Sequence, residues 1–197
     1  PMFNNGTSGY RGTIPYAEFN RTKSQYLDGG YRTLNIANNG GLTVVALVKF
    51  TGTAGNYERI FDFGNGAGVD NVLMTRELPN TMLFQIFNGG SVVVSVAYPN
   101  GIQQDVWTLW YVLYDSSTGV TELWKDDLLA AASTSAPGVA TDRTLSSTYV
   151  GRSLFPPPDD YFNGGITGLM VEDRLMSLEE IRREHAAGAF GYLYAPP

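Results

Sequence analysis

The chain has 197 residues, 43% of them hydrophobic, 13% aromatic and only 16% charged, with 13 Lys and Arg against 19 Asp and Glu for a formal net charge of -6. That length and composition suit one soluble domain with one core, too apolar for disorder and without the continuous apolar run of a membrane span. The acidic balance and the absence of any Lys/Arg run argue against nucleic acid as a partner. Disulfides, thiolate zinc sites and cysteine nucleophiles are excluded because the chain has no cysteine.

In chain order, residues 1–23 read as an N-terminal extension. Pro1 opens the chain with no charged-then-apolar leader, the expectation for a processed mature form or an excised module. Asn5-Gly6-Thr7 and Asn20-Arg21-Thr22 are glycosylation sequons, compatible with an extracellular, surface or lumenal setting. Then follow β-rich runs: Leu42 to Phe50, Met82 to Phe87, Ser91 to Tyr98, Trp107 to Asp115 and Val120 to Asp126. Asn88-Gly89-Gly90, Pro99-Asn100-Gly101 and Ser116-Ser117-Thr118-Gly119 separate them as turns, the punctuation of antiparallel hairpins packed as a sandwich. "LTVVALVKF" is apolar on both alternating sets and predicts a central strand buried on both faces. "SVVVSVAY" places Val92, Val94, Val96 and Tyr98 on one side and predicts a wetter second face.

One helix is expected near the end. In "RLMSLEEIRREHAAG" Ser177 precedes Glu180 by three residues, a capping box, and Gly188 reads as the stop. Residues 24–185 thus form the domain and 186–197 an aromatic C-terminal tail.

"DFGNGAGVD", Asp62 to Asp70, spaces glycines as G-x-G-x-G. A dinucleotide loop needs G-x-G-x-x-G between a strand and a helix, and a P-loop needs a following Lys-Ser/Thr pair. Val69 stands where the third glycine would, and "NVLMTREL" reads as a strand, so the glycines shape a hairpin turn.

The block "VWTLWYVLYDSSTGVTELWKDDLLAAAS" carries a pattern in which a Trp opens a strand ending Tyr-Asp, a Gly-containing turn follows, and a second strand reaches a tight turn. Trp107, Tyr114, Asp115, Gly119 and Leu123 match position for position, with "YLDGG", "RIFDFGNG", "TYVGRS" and "YFNGGITGLMVEDRLMSLEEI" in the expected order around them. It resembles a laminin G-like domain of the concanavalin A-like lectin/glucanase jelly-roll superfamily, over roughly Ser24 to Glu184. The resemblance implies an all-β fold of two antiparallel sheets with one short C-terminal helix. Two departures stand out: Asp126-Asp127 replaces Asn-Gly at the tight turn and forces a non-glycine residue toward positive φ, and Thr167 stands where the last strand often carries Asp.

The resemblance further implies a calcium ion at the sandwich rim, held by an acid leading into a strand, a side chain from a distant loop and backbone carbonyls. Asp70 matches the first position and Asp142 is the candidate for the second. Asp159-Asp160, with Asn163 close by, offers an alternative rim site, but the pair is read as structural, in a solvated loop that the three preceding prolines stiffen. Catalysis is not expected. The Glu-x-Asp-x-x-Glu arrangement of related hydrolases, with carboxylates about 5 Å apart, is missing, and His185 is the single histidine. All three tryptophans, Trp107, Trp110 and Trp124, are expected in the core.

The expectation is therefore a non-catalytic recognition module for glycan or protein ligands, with calcium as a candidate co-ligand and no organic cofactor. The alternative is a structural or scaffold subunit docked into a larger assembly through its terminal extensions, whose apolar and aromatic residues are costly to leave in water.

Overall fold

The computed structural model describes residues 2–4, 16–157 and 159–186. Its strands are β1 (Met2–Asn4), β2 (Tyr16–Phe19), β3 (Leu27–Asp28), β4 (Arg32–Leu34), β5 (Gly41–Phe50), β6 (Glu58–Gly64), β7 (Val72–Glu77) and β8 (Thr81–Asn88). β9 (Ser91–Tyr98), β10 (Thr108–Asp115), β11 (Val120–Lys125), β12 (Leu128–Thr134), β13 (Arg143–Leu145), β14 (Ser147–Val150) and β15 (Gly164–Glu172) follow, and the helix α1 is Leu178–Ala186.

Two antiparallel layers result. One sheet runs β1-β2-β15-β5-β10-β11-β12, the other β3-β14-β6-β7-β8-β9, and β13 pairs with β4 beside them. The core between the layers holds Val44, Ala46, Val48, Phe61, Phe84, Trp110 and Phe162. This is the jelly-roll sandwich expected from the alternation of apolar positions, which can be buried only against a second sheet.

β5 is apolar on both faces because both are covered. Val44, Ala46 and Val48 face the core, whereas Val45 and Leu47 pack under Met176, Leu178 and Ile181 at the start of α1. α1 is set by its capping box: Glu180 N–H donates to Ser177 Oγ at 3.2 Å, and Ser177 N–H donates to Glu180 Oε2 at 2.7 Å. Those hydrogen bonds and Arg174 hold the Glu180 carboxyl below its ordinary range. We expect Ser177→Ala to cost about 1 kcal/mol, a melting-temperature loss of about 2–4 °C for a domain of this size, read by thermal denaturation in circular dichroism.

Three expectations are corrected. β2 belongs to the seven-stranded sheet, pairing with β15 on one side and β1 on the other, and Ala17 and Phe19 are core residues, so residues 1–23 contribute strands to the sandwich instead of only an extension before Ser24. A register shift between Ile86 and Phe87 turns Val92 outward, 45% exposed, while Val94 and Val96 stay inside. Trp110 is fully buried, but Trp107 and Trp124 are only half-buried on the outer face of the seven-stranded sheet. Trp124 stacks on Tyr111 at 5.8 Å and donates its Nε1–H to Glu122, and Trp107 packs edge-on against Tyr16. At the tight turn Asp126 takes φ 52° as anticipated, its carboxylate accepting from Leu109 N–H at 3.1 Å. The tail 187–197, the sequon at Asn5 and the side chain of His185 lie outside the described residues.

Candidate functional site

The glycine loop joins β6 to β7 as a hairpin, closed by Asn65 N–H to Val69 C=O at 2.9 Å, with Gly68 at φ 70°. Asp70 ends it at φ 59°, its Oδ1 accepting from Gly89 N–H at 2.9 Å and its Oδ2 from Asn65 Nδ2 at 3.4 Å. Asp142 accepts from Ala37 N–H at 2.8 Å, Asn38 N–H at 3.2 Å and the Asn38 amide. Both carboxylates thus serve as caps for backbone donors. Next to Asp142, the buried Arg143 guanidinium takes the carbonyls of Asp70, Phe87 and Thr141. The rim's carbonyls and carboxylates are turned toward nitrogen donors, a set that does not fit a calcium ion requiring six to eight oxygens. Among the described residues no cluster of three or more acidic or histidine side chains could hold a metal.

A second site lies on the outer face of the six-stranded sheet. Register places Tyr149, Asp62, Leu73 and Gln85 in one row across it, pointing away from the core residues Phe61, Phe63, Val72 and Met74. Residues after β14 fold back over this face and are pinned by Arg59. Its Nη2 donates to Asp159 at 2.9 Å, its Nε lies 3.4 Å from Asp62, and Nη1 donates to Thr75 Oγ1 at 3.0 Å. Asp62 also accepts from Leu154 N–H at 3.0 Å and Asn71 Nδ2 at 2.6 Å. Burial pushes the Asp62 carboxyl up from its ordinary range, against the pull of Arg59 and these donors. Phe155 rests on Phe87 with ring centroids 5.8 Å apart.

Asp159 and Asp160, read from the sequence as structural, are tethers and not simply solvated. Asp160 accepts from Asn56 N–H at 2.7 Å and lies 3.8 Å from Arg21. Glu58 is equally committed: Arg21 contacts it at 2.7 Å, Arg76 at 3.3 Å and Gly55 N–H at 3.0 Å. Burial raises the Glu58 carboxyl while Gly55, Arg21 and Arg76 pull it down. Glu58 and Asp62, the buried acids of β6, are thus anchors of the fold.

Beside this loop stands a group of aromatic residues from the "YLDGG", "TYVGRS" and "YFNGG" stretches, which the sequence marks for fold and not as a site. Tyr26 lies 5.3 Å from Tyr149, edge to face, and 6.3 Å from Tyr161. The Arg152 guanidinium sits over both rings, 4.7 Å from the Tyr26 centroid and 4.8 Å from that of Tyr149. Arg152 has no carboxylate partner among the described residues. With Ser153, Phe155, Pro157, Asp159 and Tyr161 it lines a hollow of about 170 Å³. The cation–π contacts fix the position of the guanidinium over the two rings while its N–H groups keep their capacity to donate. Aromatic faces and a free donor fork are the groups that pack on the apolar face of a sugar ring and pair with its hydroxyls or a carboxylate. A larger opening of about 460 Å³ between the sheets, lined by Leu27, Phe63, Val150 and Leu169 with Tyr31 and Arg32, is mainly apolar.

A laminin G family model described as the concanavalin A-like lectin/glucanases superfamily matches residues 21–182. No curated protein sequence matches the chain. Among solved structures, the CBM40 of the Ruminococcus gnavus IT-sialidase bound to α2,3-sialyllactose aligns with TM-score 0.61 at 13% identity, covering 78% of this chain and 95% of that one. A heptameric SAP-like pentraxin from Limulus polyphemus aligns with TM-score 0.58 at 15% identity, covering 81% and 74% respectively. The leech intramolecular trans-sialidase aligns with TM-score 0.61 at 12% identity over 87% of this chain but 28% of that enzyme. At such identities the likeness shows the fold.

Proposed function

The chain belongs to the laminin G-like branch of the concanavalin A-like lectin/glucanases superfamily, and from that premise we propose that it is a non-catalytic recognition module whose ligand is a glycan. The site is the tyrosine cluster on the outer face of the six-stranded sheet, with Arg152 as its polar anchor. One observation carries this reading: a guanidinium placed over the rings of both Tyr26 and Tyr149, without a carboxylate partner among the described residues, at the edge of a hollow. A pre-oriented cation of this kind on a sugar-sized aromatic surface favours a ligand bearing an acidic group. The sialyllactose held by the similar bacterial module supports an acidic glycan as the first ligand to test. The half-buried Trp124 is a weaker platform, because Tyr111 covers one of its faces and Glu122 takes its N–H.

A glycan array followed by calorimetry with 3′-sialyllactose and lactose tests the proposal. Preference for the sialylated sugar is expected, and Arg152→Ala is expected to weaken binding about 10-fold or more, the worth of a charge-assisted hydrogen bond. Absence of any glycan signal, or equal affinity in Arg152→Ala, overturns it.

A further inference from the structure

We infer that Arg143 is the resident cation of the rim formed by the β6–β7 and β8–β9 loops, and that it fixes these loops without a metal ion. All five of its N–H donors are used on four oxygens: Nε to Thr141 C=O at 3.0 Å, Nη1 to Asp70 C=O at 3.3 Å and Phe87 C=O at 2.6 Å, and Nη2 to Asn88 Oδ1 at 2.7 Å and Thr141 C=O at 2.9 Å. None of these acceptors is a carboxylate. The arrangement is an oxygen cage closed around a buried positive charge, the arginine being 7% exposed.

Such a cage demands a cation, because three inward-turned carbonyls without one would repel each other and lose their hydrogen bonds to water. The compensating negative charge stands one layer out. Asp70 and Asp142 act on Arg143 electrostatically without touching it, against the burial that lowers its proton affinity. Their own oxygens are meanwhile occupied by Gly89, Asn65, Ala37 and Asn38. Arg143 therefore joins the Asp70 turn, the end of β8 and its own segment, while Asp142 draws in the chain at residues 37 and 38. A divalent ion could enter only by expelling the guanidinium, since the two charges would share the same carbonyls. Asp70 and Asp142, assigned to calcium by resemblance, acquire a different role: they orient backbone around an arginine.

The intact chain tests this by thermal denaturation in EDTA and in millimolar CaCl2. The wild-type melting temperature is expected to be the same in both. Arg143→Met, which keeps an unbranched apolar stem and removes every donor, is expected to lower it in EDTA by about 6–12 °C, through several buried acceptors left unpaired. Arg143→Lys, a smaller perturbation that keeps the charge but presents fewer donors, is expected to fall between and to remain folded. A calcium-dependent rise of the wild-type melting temperature that Asp70→Ala removes would show that the rim holds a metal and overturn the inference. So would an Arg143→Lys variant with unchanged stability together with an Arg143→Met variant losing less than about 2 °C.

Discussion

Replacing Arg59 by methionine is expected to destabilise the domain by about 3–5 kcal/mol, the range for removing one member of a buried ion pair and stranding the other. Arg59 is 4% exposed, stands between Asp62 and Asp159, and reaches Thr75 Oγ1 and Tyr57 C=O besides. Methionine fills much of the volume, so the cost measures charge and hydrogen bonding rather than a cavity. Asp62 suffers most, being wholly buried with its carboxyl already raised by burial. Asp62→Asn is expected to cost less, about 1–2 kcal/mol, because Asp159 still neutralises the guanidinium. Urea unfolding of the two variants decides the point. If Arg59→Met proves no more destabilising than Asp62→Asn, Arg59 is not the hub of this face. Loss of Arg59 also frees the segment that carries Arg152, so a reduction in glycan affinity should accompany the loss of stability.

The second large effect concerns a glycine. Gly164 begins β15 at φ 146°, paired with Phe19 on one side and Phe50 on the other, and a Cβ there would lie 1.9 Å from the backbone oxygen of Lys49. Neither strain nor clash can be relieved by a side-chain movement, because the obstructing atom is main chain in the middle of the sheet. Gly164→Ala is expected to cost about 2–6 kcal/mol, combining backbone strain and overpacking. Gly30, at φ 72° with nothing within 4 Å of where a Cβ would stand, provides the control: Gly30→Ala meets strain alone, at a cost of about 1–2 kcal/mol. Comparable melting temperatures for the two variants would refute the close-approach argument.

Much of the architecture is legible in the sequence because it depends on local rules. The double-sided apolar pattern of Leu42 to Phe50 requires cover on both faces, and the structure supplies the core on one and α1 on the other. The capping box from Ser177 to Glu180 names its own helix start, and Asp126 has to accept a positive φ wherever that hairpin lies. The strand Tyr16–Phe19 escapes such reading because it is short and its reason for pairing, Gly164 to Ile166, lies about 150 residues away in sequence. Val92 is misplaced by alternation for a similar reason: the pattern gives its face only if the register is regular, and a shift opposite Phe87 breaks it.

The sites divide along the same physical line. By itself the sequence determined that a rim turn would end in Asp70 and that no catalytic carboxylate pair or histidine cluster was spelled out in a motif. It also determined the sandwich, since periodicity, turn chemistry and capping are properties of residues near one another in the chain. Only the tertiary structure brought the carbonyls of Asp70, Phe87 and Thr141 to the Arg143 guanidinium beside the rim acids, because they acquire a common direction only when their strands are paired. Only the tertiary structure likewise brought Tyr26 beside Tyr149 and Tyr161 and placed Arg152 over the rings of Tyr26 and Tyr149. Stacking and charge pairing act over a few ångströms of space, and no spacing along the chain records distances that the pairing of β3 with β14 creates.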